Sequence, residues 1–430
     1  MKLHIFQSDK GDCLLLEGNN GGRVLCDGGM SSTMQQYVRS ELSKLRGQGE
    51  SIDYAYVSHI DQDHISGVLR LLEDELLWRV YDHNQQSGNP SAKPRVPRPP
   101  AIGGILHNAF RDQVGANAGK VTDLLAAAAD VGLSSTNPRL IELGSEMQNI
   151  ALSVPEAIRV SHLASPKILK IPVNRLPGQT KPAKLLMVRA RQKPFQVGSM
   201  IFTIVGPTAD EIEQLRDGWN LYLADPENFN SLKKLREKLE KSADEIGQSS
   251  MTQSEWESYK GVSVPNIASL MLMVEEGGKR LLLTGDSQQD IIIKGLELTG
   301  YLKSGSCHLD ALKVQHHGSE NNLDEAFCRK VSADHYIFCG NGEHGNPDPR
   351  VIQAIYDSRL GPAGKRALSA TSTGRPFTFW FSTTSTAQKA GSKERKAFSA
   401  IENLVASLAQ SSAGQMSAKF NSNAGITLSI

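Results

Sequence analysis

The stretch that decides the fold is HIDQDH, from His59 to His64, which directly follows the apolar run Tyr54–Val57. The apolar run is typical of a buried strand, and Ser66–Glu75 has the pattern of a helix. Two imidazoles and two carboxylates within six residues would repel or strain the turn, and a divalent cation relieves this by accepting their lone pairs. We therefore predict a metal site at this turn. The simpler alternative is a solvated loop in which Asp63 caps the helix.

The composition is that of an ordinary globular protein. The chain has 430 residues, 39% hydrophobic and 22% charged, which predicts two or three domains or one large domain with insertions. Its formal net charge of +1 means that a polyanionic partner would need a local basic patch. Five scattered cysteines without a CxxC pair favour a reducing compartment. With no signal-peptide pattern and no apolar run of membrane length, we expect a cytoplasmic protein without membrane contact.

The chain alternates between two styles of sequence. Both ends combine short apolar strands with Gly-rich turns, as in the hairpin pattern around Asn19–Gly22, whereas the middle is Pro- and Gly-rich or polar and helical. A helix is predicted at Val121–Val131 and another near Glu394–Leu408. The pattern predicts an α/β fold of the αββα sandwich type with long insertions and a helical C-terminal extension. We divide it into one interrupted domain (1–78 and 200–382), a basic insertion (79–199), a helical insertion (209–261) and the extension (383–430).

Several other segments carry residues able to bind metals or substrate. In chain order they are Gly11-Asp12-Cys13, Val24–Gly29, Asn266–Leu270, Leu281–Asp286 and Lys313–Ser319. Together with HIDQDH they resemble the motifs of the metallo-β-lactamase superfamily of hydrolases. An Asp stands at the second His position of the family signature, and this HxDxDH variant is similar to the hydrolase domain of ComEC-type DNA-uptake competence proteins. This chain is predicted to be a stand-alone form.

The resemblance implies the αββα fold and a site with two divalent metal ions. Asp286 would bridge the ions, and Asp63 would orient the attacking water as well as bind metal. The sequence leaves open which of His316 and His317 binds metal and which contacts substrate. His316 or His344 is the candidate for protonating the leaving group. The implied metal ligands are His59, Asp61, Asp63, His64, Asp286 and His317, and the residues that orient ligands or contact substrate are Asp27, Asn266, Lys313 and Ser319.

The predicted cofactors are two Zn or Mn ions. Asn266 stands near the place of a further family histidine, so the first ion would be held by His59, Asp61 and Asp286. An oxygen-rich set of ligands makes Mn²⁺ as credible as Zn²⁺. Two ions would lower the pKa of a bridging water and supply hydroxide at neutral pH.

The predicted reaction is hydrolysis of a phosphodiester, with a nuclease as the first choice. Resemblance supplies most of this prediction. The acid-free basic run from Lys167 to Lys193, with Lys93, Arg95 and Arg98, is the local support, although such a run is more often a solvated face. The alternatives are a small-molecule ester, thioester or lactone hydrolase with the insertions as a lid, and a partner-binding component of a complex. Stand-alone relatives occur in bacterial defence loci, which implies an antiviral role and protein partners for the insertions and tail.

Overall fold

The computed structural model describes residues 1–89, 91–109, 156–189, 192–213 and 268–430. Within these residues the protein has two β-sheets with helices on their outer faces. The predicted helix at Val121–Val131, most of the predicted insertion 209–261, and Asn266 lie outside the described residues.

The first sheet has six strands and is built mainly from the N-terminal part of the chain. Its strands are β1 (Lys2–Phe6), β2 (Leu14–Glu17), β3 (Arg23–Cys26), β4 (Ile52–Val57), β5 (Ile102–His107) and β14 (Gly425–Ser429). The order across the sheet is β14-β1-β2-β3-β4-β5. The strands β2 and β3 are antiparallel, as the hairpin pattern predicts, whereas β3, β4 and β5 are parallel.

The second sheet has eight strands. They are β6 (Phe195–Val197), β7 (Met200–Gly206), β8 (Met271–Glu276), β9 (Lys279–Leu283), β10 (Cys307–Lys313), β11 (Val331–Phe338), β12 (Phe377–Phe381) and β13 (Met416–Phe420). They follow one another across the sheet from β13 to β6. The strands β9 to β13 are parallel, and β6, β7 and β8 form antiparallel pairs.

The helices follow the strands on both outer faces. They are α1 (Ser31–Thr33), which continues through a π-helical turn (Met34–Val38) into α2 (Arg39–Gly47), then α3 (Gln62–Gln86), α4 (Gln289–Leu298), α5 (Glu325–Lys330), α6 (Pro349–Leu360) and α7 (Lys393–Ser411). Residues 156–164 are also helical. The helix predicted over Ser66–Glu75 is longer than expected: it begins within HIDQDH itself and continues to Gln86. None of the helices in the described part of the chain has the length and apolar character of a membrane span.

Side chains alternate between the two faces of each sheet, and this alternation builds three apolar layers. In β2, Leu14 and Leu16 lie in the core between the sheets, whereas Leu15 packs against α1–α3. In β8, Leu272 joins the same central core, whereas Met273 packs against α4–α7. Burying each such side chain stabilises the fold by about 1.5–3 kcal/mol. The result is the αββα arrangement that the sequence predicts.

The parallel strands of both sheets end at a common edge of the sandwich. At that edge the amide of Leu270, just before β8, donates to the carbonyl of Ser58, just after β4, at 2.7 Å. Residues that follow β3, β4, β9 and β10 therefore meet there. These are the loops that carry most of the residues predicted to bind metal.

The C-terminal segment 383–430 contributes to both sheets. It contains α7, then β13 at the outer edge of the second sheet and β14 at the outer edge of the first. The strand β14 pairs with β1 along its whole length.

Candidate metal centre

The turn from β4 into α3 presents its carboxylates to histidines and does not use them to cap the helix. Asp61 precedes α3, yet its side chain accepts no hydrogen bond from the first turn. Its Oδ2 atom lies 3.5 Å from His59 Nε2 instead. Asp63, in the first turn, places its Oδ2 atom 3.2 Å from His317 Nε2. The simpler reading of this turn, with Asp63 as a helix cap, therefore does not describe these side chains.

Four buried or nearly buried side chains surround one point. Asp286 Oδ2 lies 3.4 Å from His64 Nε2 and 3.3 Å from His317 Nε2. Asp63 Oδ2 lies 3.2 Å from His317 Nε2 and 3.9 Å from His64 Nε2. Four ligands arranged tetrahedrally at the zinc distances of about 2.0–2.1 Å would be spaced by roughly 3.3 Å. The four distances that join Asp286 and Asp63 to the two histidines, 3.2–3.9 Å, are close to this spacing, so Asp63, His64, Asp286 and His317 are candidate ligands of one metal ion.

A second group adjoins the first through Asp286. Its Oδ2 atom is 3.9 Å from His59 Nε2 and 4.0 Å from His316 Nε2. His59 Nε2 in turn is 3.5 Å from Asp61 Oδ2. The carboxylate of Asp286 thus faces both groups.

Several atoms that face this region have no other protein partner. His59 Nε2, His64 Nε2 and Asp61 Oδ1 are buried and accept or donate no hydrogen bond within the described residues. Leaving a buried polar atom unpaired costs about 1–3 kcal/mol. Metal coordination is the interaction that imidazole nitrogens and carboxylate oxygens make in this arrangement, so the residues present fit a divalent ion.

The electrostatics of the cluster favour positive charge at its centre. Burial raises the pKa of Asp63, but His64 and His317 outweigh it and hold that pKa well below its usual range. Burial lowers the pKa of His64 and His317, but the surrounding carboxylates, Asp286 foremost, together outweigh it and raise both pKa values well above the usual range. The carboxylates therefore stabilise cationic partners, and a divalent ion supplies the same charge.

Asp27 orients His64 from behind. It follows β3 in a left-handed conformation (φ 56°), and its Oδ2 atom lies 3.0 Å from His64 Nδ1. Its Oδ1 atom accepts the amide of Ser58 at 2.7 Å. A proton held on Nδ1 by this carboxylate leaves the Nε2 lone pair of His64 facing the cluster. Gly28 makes the approach possible, because a Cβ there would lie 2.3 Å from the amide nitrogen of Val68 in α3.

We expect Asp27→Asn to weaken metal binding about 10- to 100-fold, because the amide keeps the volume but loses the charge that fixes His64. A titration against a competing chelator measures this. Asp53→Asn is the matched control, since Asp53 accepts the Arg23 amide (2.8 Å) at the opposite end of the same strands. Equal metal affinity in the Asp27 variant and the parent protein would show that this carboxylate does not support the ligand.

Asp12 is the site residue that the sequence analysis did not assign. Its ligand-type atom and those of His64, Asp286 and His317 all lie within 4.8 Å of one another. However, its Oδ1 atom is 3.2 Å from Nδ1 of His317, the ring nitrogen that faces away from Asp63 and Asp286. Asp12 therefore lies behind His317 as an ion-pair partner, without the hydrogen bond that joins Asp27 to His64. The signal was its place in Gly11-Asp12-Cys13, one of the motifs behind the family resemblance.

Lys313 balances the charge of these carboxylates. It is buried to 1% exposure at the end of β10 and forms an ion pair with Asp12, while its Nζ atom is 3.5 Å from Asp286 Oδ1. Burial raises the pKa of Asp12, but Lys313 and His64 outweigh it and lower that pKa to about 2. The structure thus places Lys313 as a charge partner of two carboxylates.

His316 and His317 occupy a strained turn after β10. Both have left-handed backbone angles, φ 45° and 53°. Such conformations cost non-glycine residues of order 1 kcal/mol or more and persist where surrounding contacts over-determine them. Here Nδ1 of His316 lies 2.7 Å from Asn322 Oδ1, and Asp12 holds His317. The two rings differ in their contacts: His317 Nε2 lies 3.2 Å from Asp63 Oδ2 and 3.3 Å from Asp286 Oδ2, whereas His316 Nε2 lies 4.0 Å from Asp286 Oδ2.

Two residues predicted for the site, His344 and Ser319, have other positions, and a third is not described. His344 lies at the rim, 36% exposed, with Nε2 3.4 Å from its neighbour Glu343. Its loop is joined to the loop after β1 by a hydrogen bond from Asn341 to Asp9. Ser319 is buried in the turn after His317, where its Oγ accepts the amide of Asn321 at 3.3 Å. Asn266 lies outside the described residues.

A comparison with protein-family models matches residues 9–75 to the metallo-beta-lactamase superfamily. This range contains Asp12, Asp27 and the whole of HIDQDH, and ends before Asp286 and the two histidines after β10. The two sheets and their helices are consistent with the fold of that superfamily. A comparison with curated proteins finds no match.

Solved structures that resemble the chain share little of its sequence. A Zn²⁺-bound PqqB from Methylobacterium extorquens is 12% identical, with all of both chains covered and a TM-score of 0.30. A metallo-β-lactamase with a HARLDQ motif from Cronobacter sakazakii (Enterobacter sakazakii) is 11% identical. It covers 94% of this chain and 91% of its own, with a TM-score of 0.26.

Proposed function

We propose, starting from the match of residues 9–75 to the metallo-beta-lactamase superfamily, that the protein is a metal-dependent phosphodiesterase with two metal ions. The observation that carries the proposal is the position of Asp286. Its Oδ2 atom lies 3.3–4.0 Å from ring nitrogens of His64, His317, His59 and His316, so one carboxylate serves two adjoining groups of ligands. Shared carboxylates of this kind are typical of two-metal hydrolases.

Each side of Asp286 has its own protein ligands. Asp63, His64 and His317 would hold one ion, and His59 and Asp61 the other. Bound there, the metal ions would activate a water molecule and stabilise charge on the substrate oxygens. With Asp286, the second group offers two carboxylates and one imidazole, whereas a three-histidine site offers only imidazoles. This oxygen-rich set of ligands supports Mn²⁺ as well as Zn²⁺.

The remaining side chains handle protons and position the ligands. Burial lowers the pKa of His316, so its imidazole is neutral at pH 7 and can take up the proton released when water attacks. We assign the later donation to the leaving group to His316, because His344 lies at the rim beside Glu343. Asp12 and Asp27 hold His317 and His64 with their Nε2 atoms toward the centre.

Nucleic acid is our first candidate for the substrate. We also propose that the protein belongs to the ComEC-type branch of the superfamily and that it has a bacterial antiviral role. Both of these rest on the HxDxDH resemblance. The genes encoded beside this one are the direct test of the antiviral role. We also propose a cytoplasmic location, since all five cysteines are buried free thiols.

We expect the metal-replete protein to contain about two divalent ions per chain and Asp63→Ala to lose cleavage of a generic bis-phosphodiester. Asp63 is the expected ligand closest to His317, and its loss removes one of four ligands from that group. Elemental analysis and a chromogenic diester assay with Zn²⁺ or Mn²⁺ measure the two effects. Asp82→Ala, on the same helix but far from the turn, is the control. Absence of metal after metal-replete preparation would refute the proposal. Hydrolysis of carboxylic esters or thioesters, without hydrolysis of the phosphodiester, would favour the small-molecule alternative.

A further inference from the structure

Residues 174–189, which we call the strap, follow the edge of the first sheet without forming a helix or strand. The Asn174 side chain accepts the amide of His107 at 2.8 Å and donates to its carbonyl at 2.8 Å. The Asn108 side chain likewise accepts the amide of Leu186 and donates to its carbonyl, both at 2.7 Å. Two side-chain amides therefore fix the strap to the carboxyl end of β5.

The strap then crosses to the second sheet at the edge that carries the metal centre. The Val188 amide donates to the carbonyl of Pro207, which follows β7, at 2.8 Å. The strand β5 is parallel to β4, which leads into His59, and β7 is antiparallel to β8, whose preceding residue Leu270 is bonded to Ser58. Both anchors of the strap therefore lie on the same edge of the sandwich as the cluster.

The strap exposes only positive charge. Residues 166–194 contain no Asp or Glu. The side chains of Arg175, Lys181, Lys184 and Arg189 are exposed, and none of them has an ion-pair partner anywhere in the described part of the chain. Within the described residues no acidic side chain neutralises these charges, and they remain available to an anion.

Of the other basic residues predicted for the patch, Arg98 differs in its ion pairs, and Lys93 and Arg95 differ in their position. Lys93, Arg95 and Arg98 precede β5 and so lie toward its opposite end. Arg98 forms ion pairs with Glu75 at 3.4 Å and with Asp82 at 2.7 Å. The basic patch expected from the sequence is thus split into two groups, and of these two the strap lies beside the metal centre.

We propose that the strap binds the phosphate backbone of a nucleic acid and brings one of its phosphodiesters to the metal centre; this rests on the proposed function. Exposed Lys and Arg side chains bind phosphates by releasing condensed counterions, independently of base sequence. A rigidly anchored strap keeps these charges at a constant position relative to the cluster. A small substrate would have no use for several cations spread along sixteen residues.

The test compares two triple variants in the full-length protein. One neutralises the strap (Lys181→Gln, Lys184→Gln, Arg189→Gln), and the other neutralises three exposed lysines away from it (Lys2→Gln, Lys303→Gln, Lys419→Gln). Fluorescence anisotropy with a labelled single-stranded oligonucleotide, with chelator present to prevent cleavage, gives affinity at several salt concentrations. Cleavage of the oligonucleotide and of a small bis-phosphodiester is measured with metal present. Thermal unfolding checks that both variants are folded.

We expect the strap variant to bind the oligonucleotide at least about tenfold more weakly than the parent protein. The slope of log binding constant against log salt concentration should be shallower by roughly 2, because three phosphate contacts are lost. The control variant should bind like the parent protein. Cleavage of the oligonucleotide by the strap variant should fall at least about tenfold relative to that of the small diester. Unchanged affinity, an equal loss of both activities, or binding to anionic vesicles but not to the oligonucleotide would each overturn the inference. A parent protein that binds the oligonucleotide through the strap but cleaves no phosphodiester would instead refute the proposed function.

Discussion

Asp286→Asn should reduce phosphodiester cleavage by at least about 10³-fold and lower the metal content from about two ions per chain to well below one. Residues that only orient ligands typically contribute 10- to 100-fold, and Asp286 is expected to bind both ions directly. The amide keeps the size of the side chain but removes the charge that four imidazoles and Lys313 share. Elemental analysis after gel filtration and the diester assay measure the two effects.

Asp290→Asn is the matched control for this experiment. Asp290 lies four residues further along, exposed in the first turn of α4. It should keep both the metal content and the activity of the parent protein. If the Asp286→Asn variant still bound two metal ions, this carboxylate would not be the ligand that the two ions share. The two-metal proposal would then be wrong.

Lys313→Met should lower the free energy of unfolding of the metal-free protein by about 3–5 kcal/mol. Removing one partner of a buried ion pair leaves the other charge without compensation, which is the costly case for buried charges. Here both Asp12 and Asp286 lose their cation, and the Gly285 carbonyl loses a donor at 3.2 Å. Urea denaturation measures the change. Added Zn²⁺ should restore part of the stability, because it brings positive charge back to the same carboxylates.

Two further variants separate charge from packing. Lys303→Met changes an exposed lysine and should alter stability by no more than about 0.5 kcal/mol. The double variant Asp12→Asn, Lys313→Met removes both charges of the pair and should be more stable than Lys313→Met alone. A loss below about 1 kcal/mol in the single variant, or no recovery in the double, would contradict the role given to Lys313.

The part of the site that is contiguous in the chain could be predicted from the sequence. His59–His64 needs only the end of one strand and the start of one helix to bring its side chains together. Asp286 and His317 lie in the loops that follow two other strands, and they could be assigned only because their motifs resemble those of a known family. The structure places both within 3.4 Å of the first group, which a spacing of more than 200 residues does not reveal.

Asp12 could not be assigned in this way, because its role depends on packing between distant loops. Its amide donates to the carbonyl of Asp63 at 3.3 Å, and a Cβ at Gly11 would lie 1.7 Å from the same oxygen. Only a glycine allows the loop after β1 to approach α3 so closely. Likewise, the sequence showed a run of basic residues but not which of them are neutralised by acids elsewhere in the fold.

The pairing of β14 with β1 joins residues more than 400 positions apart, with Lys2 opposite Ser429. A contact of such sequence separation carries a larger loop-closure cost than a local one, and it cannot form before β14 has been synthesised. During synthesis, the six-stranded sheet remains open along β1 until residue 429 has left the ribosome, although Asp12, Asp27 and His59–His64 have long been available. A chaperone that shields this unpaired strand edge during synthesis would therefore protect the half of the site that is made first.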